Sequence, residues 1–337
     1  MALLSQPRTV RRLSAVRDAP VLSDLGHPGA VSAEAGDDLA ERLPDVAAVQ
    51  SALDGADYLC DLDLASALFC AVRLPQPLLL EGEPGVGKTE AAKALAAALD
   101  TPLIRLQCYE GIDAAEALYE WNYPRQLLGI RLAEATGADV GEDQLFGRGY
   151  LIERPLLQAI EHPGPRPAVL LVDEVDRADD EFEAFLFELL AEASVTIPEL
   201  GTLRAAHPPV VLLTSNRTRD LHDALKRRCL YHWIDYPDAQ RELAIVRRKC
   251  PNAPESLARE VVAFTQKLRT MDLFKSPGVA ETLDWAEALL ALDRIALDPA
   301  TVADTIGALL KYQDDVGAIT PEVAERLVAE AREGVRL

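Results

Sequence analysis

From residue 47 onward the apolar positions fall into two kinds of pattern. Short, largely apolar runs occur at Leu78-Leu79-Leu80 behind Pro77, at Leu103 to Leu106, at Val169 to Val172, at Val210 to Thr214 and at Leu230 to Ile234. Runs of this length, bounded by turn residues, predict strands of a covered sheet. Between them lie helical stretches. Thr89 to Leu99 is Ala-rich, and Asp180 to Ala193 places Phe182, Phe185, Leu186, Leu189 and Leu190 on one face. Strands alternating with helices predict an α/β unit with a five-stranded parallel sheet covered on both sides. After Pro237 no strand-like run follows. Ser276-Pro277, Asp298-Pro299 and Thr320-Pro321 read as helix starts with Pro at the first helical position. Val261, Phe264 and Leu268 mark an earlier amphipathic helix. Residues 47–237 are therefore expected to form the α/β unit and residues 238–337 a small all-α one.

The first 46 residues break both patterns. The first 17 carry Arg8, Arg11, Arg12 and Arg17 and no acid, whereas residues 18–46 hold seven acids against one Arg. Gly, Pro, Ser and Ala are frequent there, so a weakly ordered N-terminal extension is expected.

Candidate chemistry begins where the first buried strand ends. Gly82-Glu83-Pro84-Gly85-Val86-Gly87-Lys88-Thr89 matches G-x-x-x-x-G-K-[ST] between a strand and a helix. The glycines let backbone N–H groups turn inward around phosphate oxygens, Lys88 reaches the β- and γ-phosphates, and the Thr89 hydroxyl ligates Mg²⁺. A second signature is Val169 to Glu174: four apolar residues place Asp173 at the carboxyl end of a strand, to hold Mg²⁺ through water, with Glu174 next to it to activate a water. A third is the strand ending in Asn216, whose amide is suited to orienting that water. Together these predict a nucleotide-binding site for a triphosphate and Mg²⁺.

Charge and cysteine content narrow the class further. The 337 residues carry 34 Lys and Arg against 55 Asp and Glu, a net charge of −21. Such a chain repels phosphate backbones, which argues against nucleic-acid partners while leaving room for one local nucleotide site. The best apolar stretch, Leu64 to Val72, stops at Arg73 and Pro75 and is far short of a membrane span. The five cysteines (Cys60, Cys70, Cys108, Cys229, Cys250) are odd in number and hold no Cys-x-x-Cys pair. They point to reduced thiols and a cytoplasmic location. Cys229 and His232 form a lone Cys-x-x-His with no second ligand pair, so no zinc site is expected there.

Five segments together resemble the MoxR family of AAA+ ATPases, and within it the branch that includes CoxD, an accessory ATPase of carbon monoxide dehydrogenase maturation. They are LLLEGEPGVGKTE, RLQCYEGIDAAEALYEWNYPRQLL, LLVDEVDRADDEFEAFLFELLAE, VTIPELGTLRAAHPPVVLLTSN and ALKRRCLYHWIDYP, spread over about residues 60–290. The resemblance implies a AAA+ phosphate-loop core followed by a helical lid, and it makes the nucleotide ATP. It further implies an insert near 109–148 within the 85 residues that separate Lys88 from Asp173, and a hairpin near 195–204 around Pro198-Glu199-Leu200-Gly201. Arg228 aligns with the arginine finger that completes a neighbouring subunit's site, and the adjacent Arg227 is the alternative. Arg177 follows the acidic pair in the family's usual place, for an intersubunit contact or for an ion pair with Asp176 or Asp180. One departure stands out: many MoxR proteins carry Ser-Pro-Arg in the lid, and this chain has Ser276-Pro277-Gly278, with Lys275 close by.

The resemblance implies a ring, with six subunits expected, that hydrolyses ATP between subunits and remodels a protein client. That client is a metalloenzyme awaiting its cofactor, and a von Willebrand factor A-type protein is the partner. Two other readings compete with it. One is a nucleotide-switched binding module with little turnover. The other is a DNA-dependent motor, which the charge disfavours.

Overall fold

The computed structural model describes residues 38–39, 41–137 and 141–334. Most of the N-terminal extension therefore lies outside the described residues. Its last part does not follow the expected pattern: Leu39 and Leu43 are buried in the core and Arg73 donates to the Leu43 carbonyl, so packed chain begins before residue 47.

Five strands, β1 (Leu78–Gly82), β2 (Leu103–Gln107), β3 (Val169–Asp173), β4 (Val210–Ser215) and β5 (Leu230–Ile234), form the expected parallel sheet. Their order is β2-β3-β4-β1-β5. The unbroken apolar runs of β1, β3 and β4 arise because both faces are covered. Leu79, Leu170, Val172, Val211 and Leu213 point into one core, and Leu78, Leu80, Val169, Leu171, Val210 and Leu212 into the other. Strand residues alternate between faces, so a sheet buried on both sides requires apolar residues at successive positions.

Helices longer than six residues are α1 (Val46–Gly55), α2 (Leu62–Arg73), α3 (Lys88–Leu99), α4 (Tyr123–Thr136), α5 (Asp180–Glu192), α6 (Ala239–Lys249), α7 (Glu255–Leu268), α8 (Val279–Ala291), α9 (Pro299–Leu309) and α10 (Pro321–Gly334). Between β2 and β3 the chain makes a two-stranded antiparallel ribbon, Tyr119–Trp121 with Leu151–Glu153, which carries α4. A hairpin of Ser194–Ile197 and Gly201–Arg204 precedes β4.

Helices α6 to α10 pack around Trp285 and Phe264 as a separate, all-α core. The Trp285 indole N–H finds a partner within it, the Thr305 hydroxyl at 2.8 Å. Asp298 and Pro299 start α9 as expected, the Asp298 carboxylate accepting the Thr301 N–H, and α10 starts at Pro321. At Ser276-Pro277 the expectation fails. Arg269 Nε donates to the Pro277 carbonyl and the Tyr236 hydroxyl to that of Ser276, holding the two residues outside the helix. The helix begins at Val279, with Gly278 as its N-cap. No helix of the described residues is long and apolar enough to cross a membrane.

Candidate nucleotide site

The phosphate loop, the acid pair and Asn216 stand at the carboxyl ends of β1, β3 and β4, where the strand-to-helix turns open. β1 ends at Gly82, and the following loop enters α3 through Gly85 (φ +79°) and Gly87 (φ +97°). This left-handed backbone favours glycine, so a side chain at either position is strained. Gly87 caps α3 without a side-chain acceptor, which leaves the first N–H groups of the helix to face an anion. Lys88 is 7% exposed, and its Nζ donates to the carbonyls of Gly82 and Glu83, both at 2.8 Å. Burial pushes its pKa down to about 8, against the pull of the Asp176, Glu83, Asp173 and Glu174 carboxylates.

Asp173, the last residue of β3, is buried and accepts from three side chains. Oδ1 accepts from the Thr214 hydroxyl at 2.5 Å and the Thr89 hydroxyl at 3.1 Å. Oδ2 accepts from Arg105 Nε at 3.0 Å and Nη2 at 2.6 Å. Thr214 serves both acids: the oxygen that donates to Asp173 accepts the Glu174 N–H at 2.9 Å.

Glu174 itself has φ +55°, an uncommon conformation for a residue with a Cβ. It turns the chain out of β3 and aims the carboxylate into the cleft. Three side chains hold that carboxylate: Gln107 Nε2 at 3.2 Å, Arg177 Nε at 2.9 Å and Asn216 Nδ2 at 3.5 Å. Arg177 thus pairs with Glu174 and not with Asp176 or Asp180. Asp176 is taken by a different task. It is buried and accepts the N–H groups of Asn216 (3.2 Å) and Thr218 (2.8 Å) and the Thr218 hydroxyl (2.6 Å), anchoring the turn that presents Asn216.

These groups line one cleft of about 330 Å³ between the sheet and the lid, within the range of small-molecule sites. Lys88, Thr89, Asp173, Glu174 and Asn216 supply its polar lining. Tyr58, Leu59, Ile234, Ile245, Val279 and Leu283 supply apolar lining suited to a base ring. Burial raises the Tyr58 phenol's pKa, so it stays neutral there. Among the described residues no cluster of three or more His, Cys, Asp or Glu could hold a metal by itself. Thr89 and Asp173 supply hard oxygen donors beside the phosphate end. That donor set suits Mg²⁺, which takes one or two protein oxygens and completes its shell with phosphates and water.

Arg227 and Arg228 follow the short helix Asp223–Lys226; both are exposed and neither lines this cleft. Lys275 is also outside it, and its N–H donates to the buried Asp315. The lid cations that do line the cleft come from α6: Arg241, Arg248 and Lys249. Arg241 is held by Asp61 (2.6 Å) and the Leu59 carbonyl (2.9 Å), and Arg248 by Asp54 (2.7 Å).

Arg105, Gln107 and Thr214 also belong to the site, and no motif marks them. A period-two reading of Arg105-Leu106-Gln107 puts the two polar residues on one face of β2. They reach the acids because β2 pairs with β3 in register, Gln107 opposite Asp173. Nothing in the local sequence states that neighbour.

The strand order, the phosphate loop at the end of β1 and the acid pair at the end of β3 define a phosphate-loop nucleotide hydrolase. Residues 77–229, which hold the loop, the acids, Asn216 and Arg228, match the AAA domain of the dynein-related subfamily. That match, with the loop and acid pair it contains, supports ATP hydrolase activity of the AAA+ kind for this part of the chain. Two similar proteins are the uncharacterized protein SH1500 of Staphylococcus haemolyticus and the uncharacterized protein SAOUHSC_01413 of Staphylococcus aureus. Each is 26% identical over 258 residues, spanning 74% of this chain and 89% of its own. Among solved structures, the RuvB Holliday junction branch migration motor of Thermotoga maritima is similar at 17% identity and a TM-score of 0.42, over 80% of this chain and 71% of that one.

Proposed function

We propose that the chain is a MoxR-type ATPase that assembles into a ring, with six subunits expected, and hydrolyses ATP at the subunit boundaries to remodel a protein client. The observation that carries the catalytic part is the setting of Glu174. Its carboxylate stands in the cleft beside Asp173 and within reach of the Asn216 amide, with Lys88 and Thr89 on the facing helix.

The roles follow from that placement. The phosphate loop, Gly82 to Thr89, binds the triphosphate through its N–H groups. Lys88 exchanges the carbonyls of Gly82 and Glu83 for phosphate oxygens. Thr89 and Asp173 would hold Mg²⁺, which when bound supplies neutralising charge at the phosphates. Glu174 takes the proton of the attacking water, and Asn216 orients that water. Arg228, exposed and outside its own cleft, serves the cleft of a neighbour, where such a finger is worth about 10³ to 10⁵ in rate. Arg227 is the alternative.

The client proposed is a metalloenzyme of the carbon monoxide dehydrogenase type, with a von Willebrand factor A-type protein as partner and the cytoplasm as the place of action. The support is the resemblance of the five segments quoted above, together with a net charge that disfavours nucleic acid.

Glu174→Gln tests the catalytic reading. It keeps the size and one acceptor but cannot take a proton. ATP binding should stay near wild type while turnover falls by about 10²- to 10⁴-fold, the range of a general base. Turnover at the wild-type rate refutes the assignment.

A further inference from the structure

The segment between α7 and α8 lies closer to the phosphate loop than a side chain would allow. Gly278 has an extended backbone (φ −80°, ψ −177°) that any residue adopts, so its conformation does not call for glycine. Space does. A Cβ at Gly278 would stand 2.7 Å from the Pro84 carbonyl oxygen, 2.8 Å from Glu281 Oε2 and 2.9 Å from Gly85 Cα. The fit is mutual: a Cβ at Gly85 would stand 2.6 Å from Glu281 Oε2 and 3.3 Å from Gly278 Cα. Two hydrogen bonds close the seam. The Ala280 N–H donates to the Gly85 carbonyl at 3.1 Å, and the Glu281 carboxylate accepts the Gly278 N–H at 3.0 Å. From the lid side, Arg269 holds the Pro277 carbonyl at 2.8 Å. The first turn of α8 then continues as cleft wall through Val279, Ala280 and Leu283.

We propose that this glycine-on-glycine seam couples the lid to the phosphate loop, and that Gly278 is the positioning residue that makes it possible. An arginine at this position, as many MoxR proteins carry, would drive its Cβ into the loop backbone. Here α8 bears on the loop directly, main chain to main chain. Phosphates that fix the loop around Gly85 fix the carbonyl that receives the Ala280 N–H, and with it the start of α8. By linkage, a lid held on the seam pre-forms the loop for phosphate. The proposal rests on reading the cleft as an ATP site.

The test uses the full chain, a non-hydrolysable ATP analogue and Mg²⁺, with two readouts: analogue affinity, and hydrogen exchange of the α8 amides with and without analogue. In the wild type, analogue binding should slow exchange at residues 279–283. Gly278→Ala should weaken analogue binding by about fivefold or more, the low end of an overpacking cost, and should abolish the protection of α8. Ala280→Pro is the second variant, needed if the Ala variant misfolds. It deletes only the seam donor, at a helix position where α4 already carries Pro124. It should also lose α8 protection on binding. Wild-type affinity together with wild-type α8 protection in either folded variant overturns the seam. A wild-type chain that binds no analogue overturns the ATP reading and the seam with it.

Discussion

Arg269→Met is the substitution whose cost the structure specifies most fully. Glu242 on α6 is completely buried, and four donors converge on it: Arg269 Nη1 and Nη2 at 2.7 Å each, Gln266 Nε2 at 2.7 Å and the Thr282 hydroxyl at 2.8 Å. Arg269 also lies over the Tyr236 ring at 4.6 Å and donates through Nε to the Pro277 carbonyl. Methionine fills much of the same space but leaves a buried carboxylate with two neutral donors. Breaking a buried pair from one side costs about 3–5 kcal/mol, and the lost bond to Pro277 adds about 1 kcal/mol. Against a typical net stability of about 5–15 kcal/mol, that is enough to leave the lid partly unfolded. Urea denaturation followed by circular dichroism and by tryptophan fluorescence, with Trp121 and Trp233 replaced by Phe so that the buried Trp285 reports alone, should show the lid transition moving to much lower urea. The decisive control is Arg269→Met with Glu242→Leu. Replacing both partners by apolar residues removes the uncompensated charge, so the double variant should recover most of the loss. A single variant that loses less than about 1 kcal/mol refutes the reasoning, as does a double variant no more stable than the single.

Two further outcomes are expected. Lys88 has a pKa of about 8 in the structure, and a bound triphosphate stabilises its ammonium form and raises that value; nucleotide binding should therefore take up protons near pH 8.5, and affinity should fall as pH rises through about 8. Calorimetry in buffers of different ionisation enthalpy measures the uptake, Lys88→Met should abolish it, and proton release at pH 8.5 would count against the assignment. Mixed assemblies test the finger: Arg228→Ala and Lys88→Ala chains, each inactive alone, should regain some ATPase activity when mixed, and no recovery in intact assemblies would exclude Arg228 as a residue acting across subunits.

Local signals carried much of this molecule. The central strands β1, β3 and β4 carry unbroken apolar runs because the sheet is covered on both faces there, and the loop, the acid pair and Asn216 each come soon after such a run. What local signals lack is adjacency. The pairing of β1 with both β4 and β5, and of β2 with β3, is a property of the folded sheet, and Arg105 and Gln107 enter the site only through it. Arg177 shows the same limit, since acids at 174, 176 and 180 are all within its reach along the chain. The fold decides among them: Asp176 is buried under the Asn216 turn, Asp180 pairs with Arg219 at 3.2 Å, and Glu174 faces Arg177. The start of α8 at Val279 departs from the local signal for a related reason. Ser276-Pro277 has the right local chemistry for a helix start, but Arg269, which follows α7, and Tyr236, which follows β5, hold its carbonyls elsewhere.

The left-handed backbone at Glu174 sets fold and catalysis against each other. A side chain there costs the native state about 1 kcal/mol or more relative to glycine, so Glu174→Gly should raise the melting temperature while removing the base. A screen that rewards thermal stability alone would therefore discard this residue early. Variants hardened in that way should be checked at position 174 before they are judged for activity.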